Sequence, residues 1–260
     1  MGNRPAFYLS KWYFDLISKE GKVFIGYCAN LQWKSFTFSY SSLLIHSNGK
    51  TKSKVTWRNQ PSPYIENNSI IWRSPNLNVE ANWITANNSV YKNLLSSDIG
   101  YINWDCICPK SEGIVKIGNE NIFGLGYVEH LEMTIMPWHL PFNELRWGRF
   151  ISDNNYLVWI DWRGERNDKW IFSNNGQLNN CNITDEVVSS PDLTLQLTDV
   201  ATLREGSLLS TAFNRTPKYF SIFPKHIFNS YECKWLSKGI LTDNNCREEG
   251  WSIHEIVRWK

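Results

Sequence analysis

A chain of 260 residues with 42% hydrophobic and 20% charged residues has the composition of a folded globular protein, which excludes an extended disordered chain. The formal net charge is +2, and Lys and Arg are scattered among carboxylates, so we expect no nucleic-acid partner. Fourteen tryptophans and 15% aromatic residues point to wide packed sheets, to a pocket for a flat or apolar ligand, or to both.

No stretch approaches membrane-spanning length, and the N-terminus has no apolar segment of signal-peptide length. We therefore expect a cytoplasmic protein without an integral membrane segment. Six cysteines are widely spread, and alternation places Cys106 and Cys108 on one strand face. Since no second close pair completes a zinc site, we predict structural or free thiols, no metal and no cofactor.

In chain order, residues 11–33 predict a hairpin, and a third strand leads to Asn48-Gly49, the strongest short hairpin signal. Residues 51–97 read as short strands broken by Asn, Ser and Pro, and the segment 102–109 leads into a strand that starts at Gly124. No segment has a long helical period. The first half is therefore predicted to be all β.

The strand after Gly124 carries an unusual carboxylate. Period-2 alternation places Tyr127 and Glu129 on a face that is otherwise apolar, and Val128 and His130 on the opposite, more polar face. We interpret the Glu129 face as the buried interior, where the charged form of a carboxyl group is disfavoured. His130 is then expected at a surface or between domains.

Three segments of the first half recur in the same order in the second half. The pairs are Trp12–Ala29 with Trp147–Gly164, His46–Gly49 with Ser173–Gly176, and Gly126–Glu129 with Gly250–Glu255. The two prolines of the segment 137–143 cannot continue a strand ladder and separate the halves. The pattern predicts an all-β fold of two tandem antiparallel β-barrels related by internal duplication, with domains at 1–138 and 139–260.

Five motifs carry a resemblance to a known family. They are KWYFDLIS (11–18), INWDCICP (102–109), GLGYVEHLEM (124–133), RWGRF (146–150) and GWSIHEIVRW (250–259). Together they resemble the two lipocalin-like domains of the carotenoid 1,2-hydratase (hydroxyneurosporene synthase)/AttH-like superfamily, which also includes tocopherol cyclases and fungal Diels–Alderases. The resemblance implies two lipocalin-like barrels and a cofactor-free enzyme of isomerase or lyase type.

In the hydratases of this superfamily, a His-x-Trp pair and a Tyr-x-Asp pair act together on an unactivated alkene. Tyr127 and Glu129 match the second pair, with Glu in place of Asp, and Trp104 matches the Trp of the first. Ile102 stands where the pattern has His. The resemblance thus implies that Glu129 and Tyr127 are catalytic, in an acid-initiated hydration or cyclisation of a lipophilic polyene, isoprenoid or polyketide.

Further residues are predicted to bind the substrate. Trp104, Trp147 and Trp159 are expected to stabilise developing cationic charge through their π faces. Arg149 and Asp161 complete the set, Asp161 because it shares the apolar Trp159 face as a second buried carboxylate. Asp15 is interpreted as the counterpart of Asp161 in the first half, with a structural role.

Two alternatives stay open. Glu129 can form an interior salt bridge with Arg149, which would lower its pKa and make it a poor general acid, while Glu255 reads as structural. The protein can also be a non-catalytic lipocalin-like binding protein for a hydrophobic small molecule, or a filled domain without a ligand. In either case we expect a monomer or weak homodimer.

Overall fold

The computed structural model describes residues 6–85, 89–207, 230–244 and 247–259. Strand makes up 74% of the structure, which confirms the all-β prediction. The chain folds into two compact units, Met1–Met136 and Pro137–Lys260. Within the described ranges, no helix has the length and apolarity needed to cross a membrane.

The described residues of the first unit form one antiparallel sheet and a 3-10 turn, Pro75–Leu77. Its strands are β1 (Phe7–Ile17), β2 (Val23–Trp33), β3 (Phe36–Ser47), β4 (Lys50–Thr56), β5 (Tyr64–Glu66), β6 (Ser69–Ser74), β7 (Val79–Ile84), β8 (Val90–Ser97), β9 (Gly100–Ile117) and β10 (Glu120–Met133). They are ordered β4-β3-β2-β1-β10-β9-β7-β6-β5, and β8 also pairs with β9. The first strand therefore lies between the second and the last.

The second unit repeats this order after a 3-10 turn at Pro137–His139. Its strands are β11 (Glu144–Ile151), β12 (Tyr156–Arg163), β13 (Asp168–Ser173), β14 (Gly176–Leu178), β15 (Asn182–Ile183), β16 (Val187–Ser190), β17 (Leu193–Ser207), β18 (Tyr231–Asp243) and β19 (Arg247–Arg258). They are ordered β14-β13-β12-β11-β19-β18-β17-β16-β15. The two units are tandem lipocalin-like β domains, as predicted.

The predicted turns lie where local backbone chemistry requires them. Asn48 and Gly49 join β3 to β4 with φ angles of 51° and 69°, the left-handed region that a two-residue hairpin of this type needs. The corresponding turn in the second unit runs from Ser173 to Gly176, whose φ is 98°. Both turn predictions are confirmed.

Aromatic side chains fill the core of the first unit. The ring of Phe14 stacks at 4.9 Å on Trp72 and at 5.3 Å on Trp83, and all three side chains are fully buried. Phe24 packs beside both tryptophans. These rings and their aliphatic neighbours form the packed core of the first unit.

The core of the second unit is built around Phe150 and Trp159, which pack with Leu157, Ile171 and other aliphatic residues. Gly148 of β11 lies opposite Trp159 of β12. A Cβ atom at this position would overlap the indole of Trp159, so the glycine of the RWGRF motif lets the ring lie against the strand. The glycine at position 148 is therefore explained by the packing of this core.

The structure corrects the assignment of the inner face of β10. Val128 belongs to the core of the first unit, so Val128 and not Glu129 points into that interior. His130 lies on the Val128 side and stacks at 4.5 Å on Trp12, which packs against the core. The predicted burial of Glu129 is confirmed, but the Val128 face is buried as well, and hydrophobic alternation cannot then tell which face packs in the core.

The prediction that Cys106 and Cys108 share one strand face is wrong because of a β-bulge. The register between β9 and β10 shifts between Val128 and His130, and the extra residue on β9 changes which face the following side chains occupy. Cys108 therefore packs in the core, whereas Cys106 contacts Tyr127. The cysteines described as free thiols are Cys28, Cys106, Cys108, Cys181 and Cys233, and Cys246 lies outside the described residues.

Candidate functional site

A cluster of polar and aromatic side chains is buried on β1, β2, β9 and β10 of the first unit, on the face opposite the Phe14 core. We call it the buried polar face. Its members are Tyr13, Asp15, Tyr27, Trp104, Cys106, Tyr127 and Glu129. Buried polar groups are costly unless they are hydrogen-bonded, so their concentration here marks a candidate site.

Glu129 is the acceptor at the centre of this face. The indole Nε1 of Trp104 donates to its Oε2 at 2.6 Å, and the hydroxyl of Tyr127 donates to the same oxygen at 2.7 Å. Tyr127 is 0% exposed and Glu129 is 9% exposed. The structure therefore brings together the three residues that match the hydratase pattern, while Ile102, at the position of the missing His, is buried.

The geometry of β9 and β10 explains why Tyr127, Glu129 and Trp104 lie together. Tyr127 and Glu129 are two residues apart on β10 and share one side of the strand, and Trp104 reaches them from the paired strand β9. Position 126, just before this pair, requires glycine, because a Cβ atom there would overlap Trp83. The Nε1 of Trp83 donates to the backbone oxygen of Asp15 at 2.9 Å. The glycine thus allows β10 to approach β1 closely beside the site.

A second Tyr-x-acid pair lies on the neighbouring strand. The hydroxyl of Tyr13 donates to Oδ2 of Asp15 at 3.0 Å, and both residues are buried. In the β1–β10 register, Tyr13 lies opposite Glu129 and Asp15 lies opposite Tyr127. This pair was not predicted, although the sequence has the pattern Tyr-x-acid on a largely apolar strand at positions 13–15 as well as 127–129.

The proposed correspondence between Asp15 and Asp161 is wrong. Asp15 lies on the first strand of its unit, but Asp161 lies on β12, which takes the place of β2 in the second sheet. Asp161 is fully buried and forms an ion pair with Arg163, with 2.7 Å between Nη2 and Oδ2. Burial raises the pKa of the Asp161 carboxyl group, and Arg163 opposes that shift.

Burial keeps two groups of the polar face neutral. The pKa of Tyr127 is well above its ordinary value because the phenol is buried and lies beside Cys106 and Glu129. Burial likewise raises the pKa of the Cys106 thiol well above its ordinary value. Tyr127 is therefore a hydrogen-bond donor at neutral pH, and Cys106 lacks the thiolate form that a nucleophile needs.

The remaining predicted residues lie in the second unit and are buried there. Arg149 donates from Nη1 to the backbone oxygen of Trp251 at 3.0 Å. The ammonium of Lys234 lies 5.2 Å from the ring centroid of Trp147, a cation–π contact. Trp159 packs in the core of this unit.

Trp147 and Trp159 both border a small cleft of the second unit, together with Trp235 and His254. The Nε2 of His254 lies 2.8 Å from the hydroxyl of Ser237, and burial lowers its pKa to about 4. The imidazole is therefore neutral at physiological pH. The cavity volume of this cleft is about 10 Å³, far below the roughly 300–1,000 Å³ typical of ligand pockets.

Glu255 has the register position of Glu129 in the second sheet. Glu255 lies opposite Trp147, which comes four residues before Ile151. In the same way, Glu129 lies opposite Tyr13, which comes four residues before Ile17. Its chemistry differs, because Glu255 forms an ion pair with the fully buried Lys234. This agrees with the interpretation of Glu255 as a structural residue. Among the described residues, no group of three or more His, Cys, Asp or Glu side chains could hold a metal ion.

Comparison with known proteins identifies the fold. No protein-family model matches the chain, and no curated protein matches its sequence. The structure is similar to that of CghA, with a TM-score of 0.57 and 9% identity over 96% of this chain and 88% of that one.

Two further structures extend the comparison. Kievitone hydratase from Nectria haematococca gives a TM-score of 0.53 and 11% identity over 98% and 89% of the two chains. A putative AttH from Nitrosomonas europaea gives a TM-score of 0.50 and 12% identity over 98% of this chain and 93% of that one. At 9–12% identity, these similarities confirm the fold that the sequence motifs predict.

Proposed function

We propose that the protein is a cofactor-free enzyme of isomerase or lyase type, which protonates a carbon–carbon double bond of a lipophilic polyene, isoprenoid or polyketide. Hydration or cyclisation then follows. The observation that carries this proposal is the convergence of Trp104 and Tyr127 on one oxygen of the buried Glu129. The structural similarity to a protein named as a hydratase supports the same class of reaction.

The contacts of Glu129 suit a general acid. Both donors contact Oε2, so they stabilise the carboxylate that forms when Glu129 gives up a proton. When that proton leaves for an alkene carbon, negative charge develops on a carboxylate that already has two preorganised donors at 2.6 and 2.7 Å. Tyr127 stays neutral and keeps its donor role throughout. The indole face of Trp104 can stabilise the cation that forms.

The packed interior of the first unit supports an enzyme over a lipocalin-type carrier. A carrier of that type holds its ligand inside the barrel, and Phe14, Trp72 and Trp83 occupy that space here. In the second unit, Trp147, Trp159, Arg149 and Asp161 remain predictions for substrate binding.

The repeated strand order and the shared register of Glu129 and Glu255 support an internal duplication. We propose that its boundary separates domains 1–138 and 139–260, as the sequence analysis predicts.

Deuterium labelling tests the proposed reaction. The purified protein is incubated in D2O with an organic extract of its source cells, and consumed and retained compounds are identified by mass spectrometry. Acid-initiated addition places one deuterium on carbon in the product, and Glu129→Gln should abolish that product. Glu80→Gln is the matched control, since Glu80 forms an exposed ion pair with Arg73.

Two results would contradict the proposal. A product formed without carbon-bound deuterium would indicate a pericyclic cyclisation without proton transfer. A compound that is retained but never altered would indicate a binding protein.

A further inference from the structure

The small cleft of the second unit combines aromatic walls with a charged edge. Three indoles, an imidazole, a guanidinium and a carboxylate border it, and these groups belong to Trp147, Trp159, Trp235, His254, Arg146 and Asp185. Its cavity volume of about 10 Å³ is room for about one water molecule. Flat apolar walls beside a guanidinium are features that recognise a flat organic anion, provided that one of the bordering groups moves aside.

Arg146 supplies the positive charge at the edge of this cleft. Its Nε donates to Oε1 of Glu144 at 2.7 Å, and its Nη1 donates to Oδ1 of Asp185. The Arg146 side chain is 11% exposed and that of Glu144 is 16% exposed, whereas the Asp185 side chain is 59% exposed. Because an exposed ion pair contributes little stability, Asp185 is the partner that exchanges Arg146 for water at the lower cost.

The turn that carries Asp185 lies at the edge of the sheet. Asp185 follows β15, the last strand in the sheet order, and Thr184 and Glu186 beside it are also exposed. Ile183 and Val188, which pair across β15 and β16, pack in the core and anchor the two strands. The Asp185 side chain can therefore turn to solvent without disturbing the core, and its departure removes one wall of the cleft.

The charges around Glu144 indicate what would replace Asp185. Among the described residues, the ion pairs of this region join Arg146, Arg163 and Arg258 to Glu144, Asp161 and Asp185. Three guanidinium groups are thus balanced by three carboxylates. When Asp185 turns to solvent, one positive charge of this group loses its counter-charge. A single carboxylate from a ligand restores the balance.

We propose that this cleft binds an aromatic carboxylate, which competes with Asp185 for Arg146. The ligand's carboxylate accepts from the guanidinium in place of Asp185, and its ring contacts the indoles that border the cleft. His254 contributes no charge near neutral pH, because burial lowers its pKa to about 4. The exchange is a binding step without covalent chemistry, and it does not depend on the reaction proposed for Glu129.

Fluorine-19 NMR of 4-fluorobenzoate with the purified protein tests this site. The probe signal should broaden in the presence of the protein, and that of the neutral 4-fluorobenzamide should not. Asp185→Asn removes the internal competitor, so the affinity for 4-fluorobenzoate should rise by about two- to fivefold. Arg146→Lys keeps the charge but loses the planar fork of donors, and should weaken binding by about tenfold.

Asp199→Asn is the matched control, since Asp199 forms an exposed ion pair with Lys238 in the same unit. It should bind 4-fluorobenzoate as the wild-type protein does. The indole N–H signals of Trp147, Trp159 and Trp235 should shift as the probe binds.

Three results would overturn the inference. They are an Asp185→Asn protein that does not bind 4-fluorobenzoate, equal binding of the acid and the amide, and an affinity gain that Asp199→Asn shares. Indole shifts confined to tryptophans outside the cleft would also overturn it. The Asp185→Asn experiment decides the matter even where Arg146→Lys fails to fold, because Asp185 is an exposed side chain in a turn.

Discussion

The indole Nε1 of Trp104 lies 2.6 Å from Oε2 of Glu129, although the two residues are 25 positions apart in the sequence. This hydrogen bond joins the two motifs on which the resemblance to hydratases rests. It also supplies a donor to the carboxyl group that we propose as the acid. The geometry of Glu129 therefore depends on strand pairing between β9 and β10 as much as on its own strand.

Replacing Trp104 with Phe removes this donor and retains an aromatic ring. A hydrogen bond to a charged group stabilises it by about 1.5–3 kcal/mol, so turnover should fall by roughly 10- to 100-fold while ligand retention changes little. Steady-state rates and native mass spectrometry measure the two effects. Trp72→Phe is the matched control, because it makes the same change in the core of the same unit. Equal losses of turnover in both variants would contradict the role of Nε1.

Glu255→Gln should destabilise the protein without involving the candidate acid. The substitution removes a carboxylate partner of Lys234, whose side chain is 0% exposed, and so breaks a buried ion pair. Breaking a buried ion pair in this way costs about 3–5 kcal/mol, which urea unfolding can measure. Glu80→Gln, in an exposed pair, should cost less than about 1 kcal/mol. A similar small cost for Glu255→Gln would show that the Lys234 pair is not structural.

His254 should make stability depend on pH. Burial lowers its pKa in the folded protein to about 4, whereas the ordinary value is 6.5, and the nearby Lys234 adds to that shift while Asp185 opposes it. The folded state therefore favours the neutral ring. Its contribution is fully present above pH 6.5 and is lost as the pH falls towards 4.

The loss should amount to about 3 kcal/mol of unfolding free energy. Urea unfolding at a series of pH values tests this, with His254→Gln as the comparison. The variant should lose less stability than the wild-type protein between pH 6.5 and 4. Parallel curves for the two proteins would contradict the assignment to His254.

Local signals in the sequence predicted much of the fold. The turn at Asn48-Gly49 depends on backbone conformations that these two residue types favour, so it was predictable without the rest of the chain. The tandem arrangement was predictable because motifs recur in order. Tyr127 and Glu129 were found because two residues on one strand side form a pattern in the sequence itself.

Features that depend on distant strands were not predictable. The inner face of β10 was assigned wrongly because β10 is buried on both sides, and only the packing of Val128 in the core identifies the interior. The bulge that separates Cys106 from Cys108 arises from pairing with β10. The position of Asp15 opposite Tyr127 was not predictable either, because Tyr127 comes from the other end of the domain.

Glu129→Gln, with turnover and unfolding free energy measured on the same preparation, tests the central claim most directly. The substitution keeps the size of the side chain and an oxygen that can accept from Trp104 and Tyr127, but it removes the transferable proton. If Glu129 is the general acid, turnover should fall by at least about 10²- to 10⁴-fold, while stability changes by less than about 1 kcal/mol and ligand retention persists. A stability loss of about 3–5 kcal/mol with turnover retained per folded molecule would instead identify Glu129 as half of a buried ion pair, and would contradict the account.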